Sequence, residues 1–121
     1  MFGLRVPQTT HILQIKNTLM EIKNFTKQLK SISEAPSVSG NTVYEKITVS
    51  HEKVYCTRKS TGKEVSILVE ELFNAYYKAT EINTTILRDY ITGRTFSPAL
   101  AILLAAGFYE KRDGKYLKVK L

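Results

Sequence analysis

Apolar positions change period several times along the chain, and each change marks a predicted element. From Thr10 to about Glu34 there is no Gly or Pro, and apolar residues recur at Ile12, Ile15, Leu19, Ile22 and Leu29, with Thr26 in the same series. Steps alternating between three and four residues form a heptad seam, so the spacing predicts one long helix. With Ile12 as position a, the e positions are Lys16, Lys23 and Lys30, and the g positions are Thr18, Phe25 and Ile32. No acidic g residue is present to pair with those lysines. Phe25 and Ile32 also widen the apolar stripe, which suits packing on a protein body or in a multi-helix bundle better than a bare two-stranded coil. Two uses stay open at this point. One is self-association through Ile12, Ile15, Leu19, Ile22, Phe25 and Leu29; the other is an amphipathic helix lying on its own domain.

Ala35-Pro36-Ser37-Val38-Ser39-Gly40-Asn41-Thr42 is small and polar with Pro and Gly, and reads as a linker over residues 36–42. Beyond it the period falls to two. Ile47 and Val49 alternate with polar residues, Val54-Tyr55-Cys56-Thr57 is β-branched and aromatic, and Val65 and Ile67 alternate again. Turns at 50–53 and 60–63 divide this stretch into a short antiparallel β-meander or two hairpins, with Cys56 half-buried on a strand. Leu68, Leu72, Ala75, Tyr76 and Ala79 then restore a helical stripe, with Glu70 and Glu71 suited to the first turn. Asn83 is placed to cap a second helix over Thr84–Ile91, and Thr92-Gly93-Arg94-Thr95 forms a turn. Ser97 caps a third helix, Pro98–Ala106, which Gly107 stops. Phe108–Leu121 folds back as a hairpin around Asp113-Gly114. The predicted class is α+β, organised as an N-terminal helix over 1–35, the linker, and a meander-plus-three-helix unit over 43–121.

Composition narrows the partners. The 121 residues are about one domain, and 43% apolar with 24% charged is globular rather than disordered. One cysteine makes no intrachain disulfide, and no cofactor or metal is expected. The longest apolar run, Ala99–Ala106, is too short to span a bilayer. The first residues lack a signal-peptide core, and Phe2 stands where myristoylation requires glycine. A soluble intracellular protein with no membrane partner is expected, and the net charge of +7 points to a polyanion. The charge is uneven. Residues 67–85 are net acidic, whereas Lys111, Arg112, Lys115, Lys118 and Lys120 stand against Asp113 alone in the last eleven residues.

Three helices followed by a hairpin is a recognisable order. The segment "NTTILRDYITGRTFSPALAILLAAGFYEKRDGKYLKV", and within it Leu103-Leu-Ala-Ala-Gly-Phe-Tyr-Glu-Lys-Arg-Asp-Gly-Lys-Tyr, resembles the second helix, turn, third helix and wing of the winged helix-turn-helix superfamily. The resemblance covers residues 68–121, under half the chain. It implies binding to double-stranded DNA, with the third helix in the major groove and the wing on the backbone. One departure stands out. Pro98–Ala106 offers only Pro, Ala, Leu and Ile where a reading helix shows polar residues, so contacts from this helix are expected at its N-terminal approach, from Thr92, Arg94, Thr95 and Ser97.

Pairing the hairpin strands with Arg112 opposite Lys115 sorts their residues onto two faces. Phe108, Glu110, Leu117 and Val119 are expected to serve the core. Tyr109, Lys111, Tyr116, Lys118 and Lys120 are expected to form an exposed basic surface with stacking groups. The expected nucleic-acid contacts are therefore Arg94, Thr95, Ser97, Lys111, Arg112, Lys115, Tyr116, Lys118 and Lys120. Arg58, Lys59 and Lys63 either extend this patch or form a solvated turn. A protein-assembly module using the bare third helix and the first-helix stripe is the alternative. Catalysis is not expected: Thr61-Gly62-Lys63 lacks the earlier glycine of a phosphate-binding loop, and Glu70-Glu71 point to different helix faces.

Overall fold

The computed structural model describes residues 21–119. In chain order the elements are α1 (21–29), β1 (Ala35–Pro36), β2 (Val43–Ser50), β3 (Lys53–Arg58), β4 (Lys63–Leu68), α2 (Val69–Lys78), β5 (Glu81–Ile82), α3 (Thr84–Leu87), α4 (Phe96–Ala105), β6 (Tyr109–Arg112) and β7 (Lys115–Lys118). The mixed α+β class matches the expectation. Two antiparallel sheets form, one with strand order β1-β2-β3-β4 and one with order β5-β7-β6.

The meander follows the alternation seen in the sequence. Val54 and Ile67 pair across β3 and β4 and are both buried, whereas their neighbours Tyr55 and Ser66 pair on the solvent side. A bulge between Glu45 and Thr48, with Lys46 at φ 55°, interrupts the β2–β3 ladder.

Residues 37–42 of the expected linker form a loop, but the stretch begins in a strand. Ala35 and Pro36 pair with Tyr44 and Val43 as a fourth strand, and Ala35 is fully buried beside α4. A two-residue strand leaves no period in the sequence, and its Pro reads as a breaker when the partner strand is unknown. α1 also stops before the expected Glu34. The Ser31 hydroxyl and amide both donate to the Gln28 carbonyl, closing the helix locally. The Thr10–Met20 part of the predicted helix lies outside the described residues.

A single core joins all these elements. Phe25 of α1 stacks on Phe108 with ring centroids 4.5 Å apart, and meets Phe73 edge-on at 5.4 Å. Leu29, Leu72, Ile82, Leu87, Ile102 and Leu103 are fully buried around this cluster. α4 is central: Pro98 through Leu103 are buried without interruption, and the helix packs on α3, β1 and β6.

The ends of α4 show why it sits where it does. The helix begins at Phe96 with Thr95 at the cap position, two residues before the expected Ser97 cap. Pro98 remains within the first turn, where its missing N–H has no helical partner to lose. At the other end, Phe108 donates to Leu103 O and Gly107, at φ 84°, donates to Leu104 O, a double bond pattern that needs a left-handed residue. The Gln28 side chain adds a third contact, donating to Ala106 O at 2.6 Å. The second helix is capped by Asn83 as expected, its Oδ1 accepting from Ile86 N at 2.8 Å, but it lasts a single turn.

Candidate nucleic-acid interface

The hairpin register is the expected one: Arg112 faces Lys115 and Tyr109 faces Lys118, with Asp113 and Gly114 both at positive φ in the turn. The face expected to be outward turns in part toward the body, although Lys111 on it stays exposed. β5 pairs with β7 so that the fully buried Ile82 lies opposite Tyr116, which turns the Tyr116 face toward the body. Tyr109 is buried and its hydroxyl donates to Ala79 O at 2.6 Å. Burial raises its pKa, and the neighbouring Tyr76 and Tyr90 add to the rise. Lys118 lies over the Tyr76 ring, 4.6 Å from its centroid, and donates to Tyr77 O at 3.3 Å. Burial lowers the Lys118 pKa, against an opposing pull from Glu21. Lys118 is thus engaged within the fold rather than displayed for phosphate.

The opposite face carries Glu81, Glu110, Arg112, Lys115 and Leu117. Arg112 is bound by Glu110, with Nε 2.7 Å from Oε1, so its charge is neutralised on the spot. The expected acid-free set, Tyr109, Lys111, Tyr116 and Lys118, does share one face, but with Tyr109 buried and Lys118 held by Tyr76 and Tyr77 it leaves Lys111 as the exposed cation there. Phe108 is buried as expected, but from just before β6, against Phe25 and Tyr76. Lys120 lies outside the described residues.

At the approach to α4, Arg94 and Ser97 are exposed. Glu71 Oε1 accepts from both the amide and the hydroxyl of Thr92, at 3.1 and 3.2 Å, and pins this loop to α2. Thr95 is partly buried. Its Oγ1 is enclosed and has no hydrogen-bond partner among the described residues.

What the fold does bring together is a cleft of about 420 Å³ where the β1–β2 loop, the end of β3, the first turn of α4 and β7 meet. Arg58, Tyr44, Asn83, Ser97, Leu100 and Tyr116 are among its walls, and no carboxylate lines it. Arg58 Nε donates to Ser60 Oγ at 3.2 Å, and no acid pairs with the guanidinium among the described residues. Tyr44 is buried beside it. Burial raises the Tyr44 pKa, and the Arg58 charge works against that rise. Lys111 pairs across the strands with Tyr116 and is exposed, so it stands on the same side of the hairpin as the cleft-lining tyrosine. Two expected residues, Ser97 and Tyr116, thus share one concavity with Arg58, whose role the sequence left open. Lys59 lines a separate shallow depression with residues 40–43 and Ser60. Arg58 as a cleft residue is visible only once β3 and β7 have been placed.

The described half of the surface expected for self-association packs within the chain. Phe25 and Leu29 are buried within their own chain and Ile22 is partly buried; Ile12, Ile15 and Leu19 lie outside the described residues. A groove beside α1 gathers Lys23, Lys27, Lys30 and His51, but Glu52 and Glu70 face them across it. Cys56, expected to be half-buried, is fully enclosed, and burial pushes its thiol up to about 11, so it is not a reactive thiol. Among the described residues no group of three or more His, Cys, Asp or Glu side chains gathers to hold a metal, and no helix is long and apolar enough to cross a membrane. Comparison with protein-family models, with curated proteins and with solved structures finds no match to this chain.

Proposed function

We propose that this protein binds nucleic acid by docking phosphates, using a winged helix-turn-helix-like unit made of α2, β5, α3, α4 and the β6–β7 hairpin. The order helix, strand, helix, helix, hairpin and the sheet order β5-β7-β6 support the winged layout. The observation that carries the binding reading is the acid-free cleft that joins Arg58, Ser97 and Tyr116. Exposed Arg94, Lys111 and Lys115 supply further cations on the same unit.

Recognition through α4 in a major groove has no support, because residues 98–103 are buried. Contact is accordingly with the backbone and largely independent of sequence. The test is a filter-binding titration against salt with mixed-sequence DNA. Affinity falls steeply as salt rises, and removing the charges of Arg94, Lys111 and Lys115 together reduces the slope by roughly two to three, near one unit per lost phosphate contact. Absence of binding at about 50 mM salt, or binding indifferent to salt, overturns the proposal.

A further inference from the structure

We infer that the Arg58 cleft holds a single unpaired nucleotide, so that the polymer this protein prefers is single-stranded or locally opened rather than a closed duplex. The inference rests on the nucleic-acid reading and narrows it.

Size comes first. A volume of about 420 Å³ lies within the roughly 300–1,000 Å³ typical of small-ligand sites, which suits one nucleotide and excludes a duplex. Charge comes second. Among the described residues Arg58 is the sole charged one in the lining. One guanidinium without a carboxylate matches the single negative charge of one phosphodiester and offers it a planar, forked donor. Its Nε is already held by Ser60 Oγ, which fixes the fork while its terminal nitrogens remain for the ligand.

The remaining walls are mixed, as a nucleotide requires. Tyr116, Leu100 and Val38 give aromatic and aliphatic surface for a base. Val38 is 47% exposed at the mouth, an apolar side chain with little cover of its own. Asn83 uses its Oδ1 on the α3 cap, leaving its amide nitrogen as a donor, and the Ser97 and Thr84 hydroxyls complete a polar side for sugar and phosphate. The burial of α4 points the same way. With the body of α4 closed to a groove, the cleft at its first turn takes one residue at a time.

The test uses the full chain and four probes: a ten-residue oligothymidylate, a blunt ten-base-pair duplex, thymidine 5′-monophosphate and thymidine. Calorimetry at low salt is expected to give at least tenfold tighter binding of the single strand than of the duplex, and of the monophosphate than of thymidine. Arg58→Gln, whose thermal melt checks folding, is expected to weaken the single strand at least tenfold and the duplex by no more than about threefold. Tyr116→Phe, which keeps the stacking ring, is expected to retain single-strand binding within about threefold. A duplex bound as tightly as the single strand, with both weakened alike by Arg58→Gln, overturns the inference and leaves the nucleic-acid reading standing. Binding of the monophosphate through Arg58 without binding of either polymer upholds the cleft as a nucleotide site and overturns the polymer reading.

Discussion

α2 and α4 are both ten residues long, yet they occupy opposite situations. α2 buries Val69, Leu72, Phe73 and Ala75 and turns Glu70, Asn74, Tyr77 and Lys78 to solvent. α4 buries six consecutive residues and shows solvent little besides Ser97 in its first turn. A helix with one apolar stripe covers a core, and a helix apolar all round becomes one. In the winged layout the third helix is the element offered to a partner, whereas here α4 packs on α3, β1 and β6, and Gln28 of α1 reaches its C-terminal end. The lesson is that a matching order of elements does not carry over a matching surface, and the search for an interface moves from α4 to its margins.

This contrast can be broken or sharpened by substitution. The largest effect is expected at Phe25, whose ring ties α1 to α2 and Phe108. Phe25→Ala should cost about 3–5 kcal/mol in urea denaturation, and a loss below about 1 kcal/mol would show that α1 does not help to enclose the unit. Next comes Leu103→Ala, at about 2–5 kcal/mol, set against Tyr77→Ala on the open side of α2, which should stay within about 0.5 kcal/mol. Equal losses at the two positions would erase the difference between the helices. Tyr109→Phe should cost about 1–3 kcal/mol, because Ala79 O loses its buried donor, and should remove a late phase from the alkaline absorbance titration of tyrosine. The smallest effect is at the α4 cap. Thr95→Val replaces a hydroxyl that bonds to nothing described, so it should be neutral or slightly stabilising, and a loss above about 1 kcal/mol would reveal a hydrogen bond at Oγ1.

Much of the fold was legible. Long alternating or helical stretches appeared where their periods placed them, including the meander, α2 and the Asp113-Gly114 hairpin with its register. The buried body of α4 was visible in its bare composition. The failures share a cause. β1 and β5 are two residues each, too short to carry a period, and each decides something distant. β1 turns an apparent linker into the cover of α4. β5 sets which face of the hairpin looks inward, which is why Tyr109 and Lys118 were expected on the wrong side. The candidate cleft was half visible: Ser97 and Tyr116 were expected as contacts, whereas Arg58 joins them only through tertiary placement.

The bond from Gln28 to Ala106 closes a span of 78 residues, and it has a consequence for synthesis. A ribosome delivers α1 first and the rings that bury Phe25 much later. At about 5–20 residues per second the interval is roughly 4–16 s, during which the apolar side of the nascent helix has nothing of its own chain to rest on. The most strongly buried part of α1 is therefore also a stretch open to a chaperone early in synthesis.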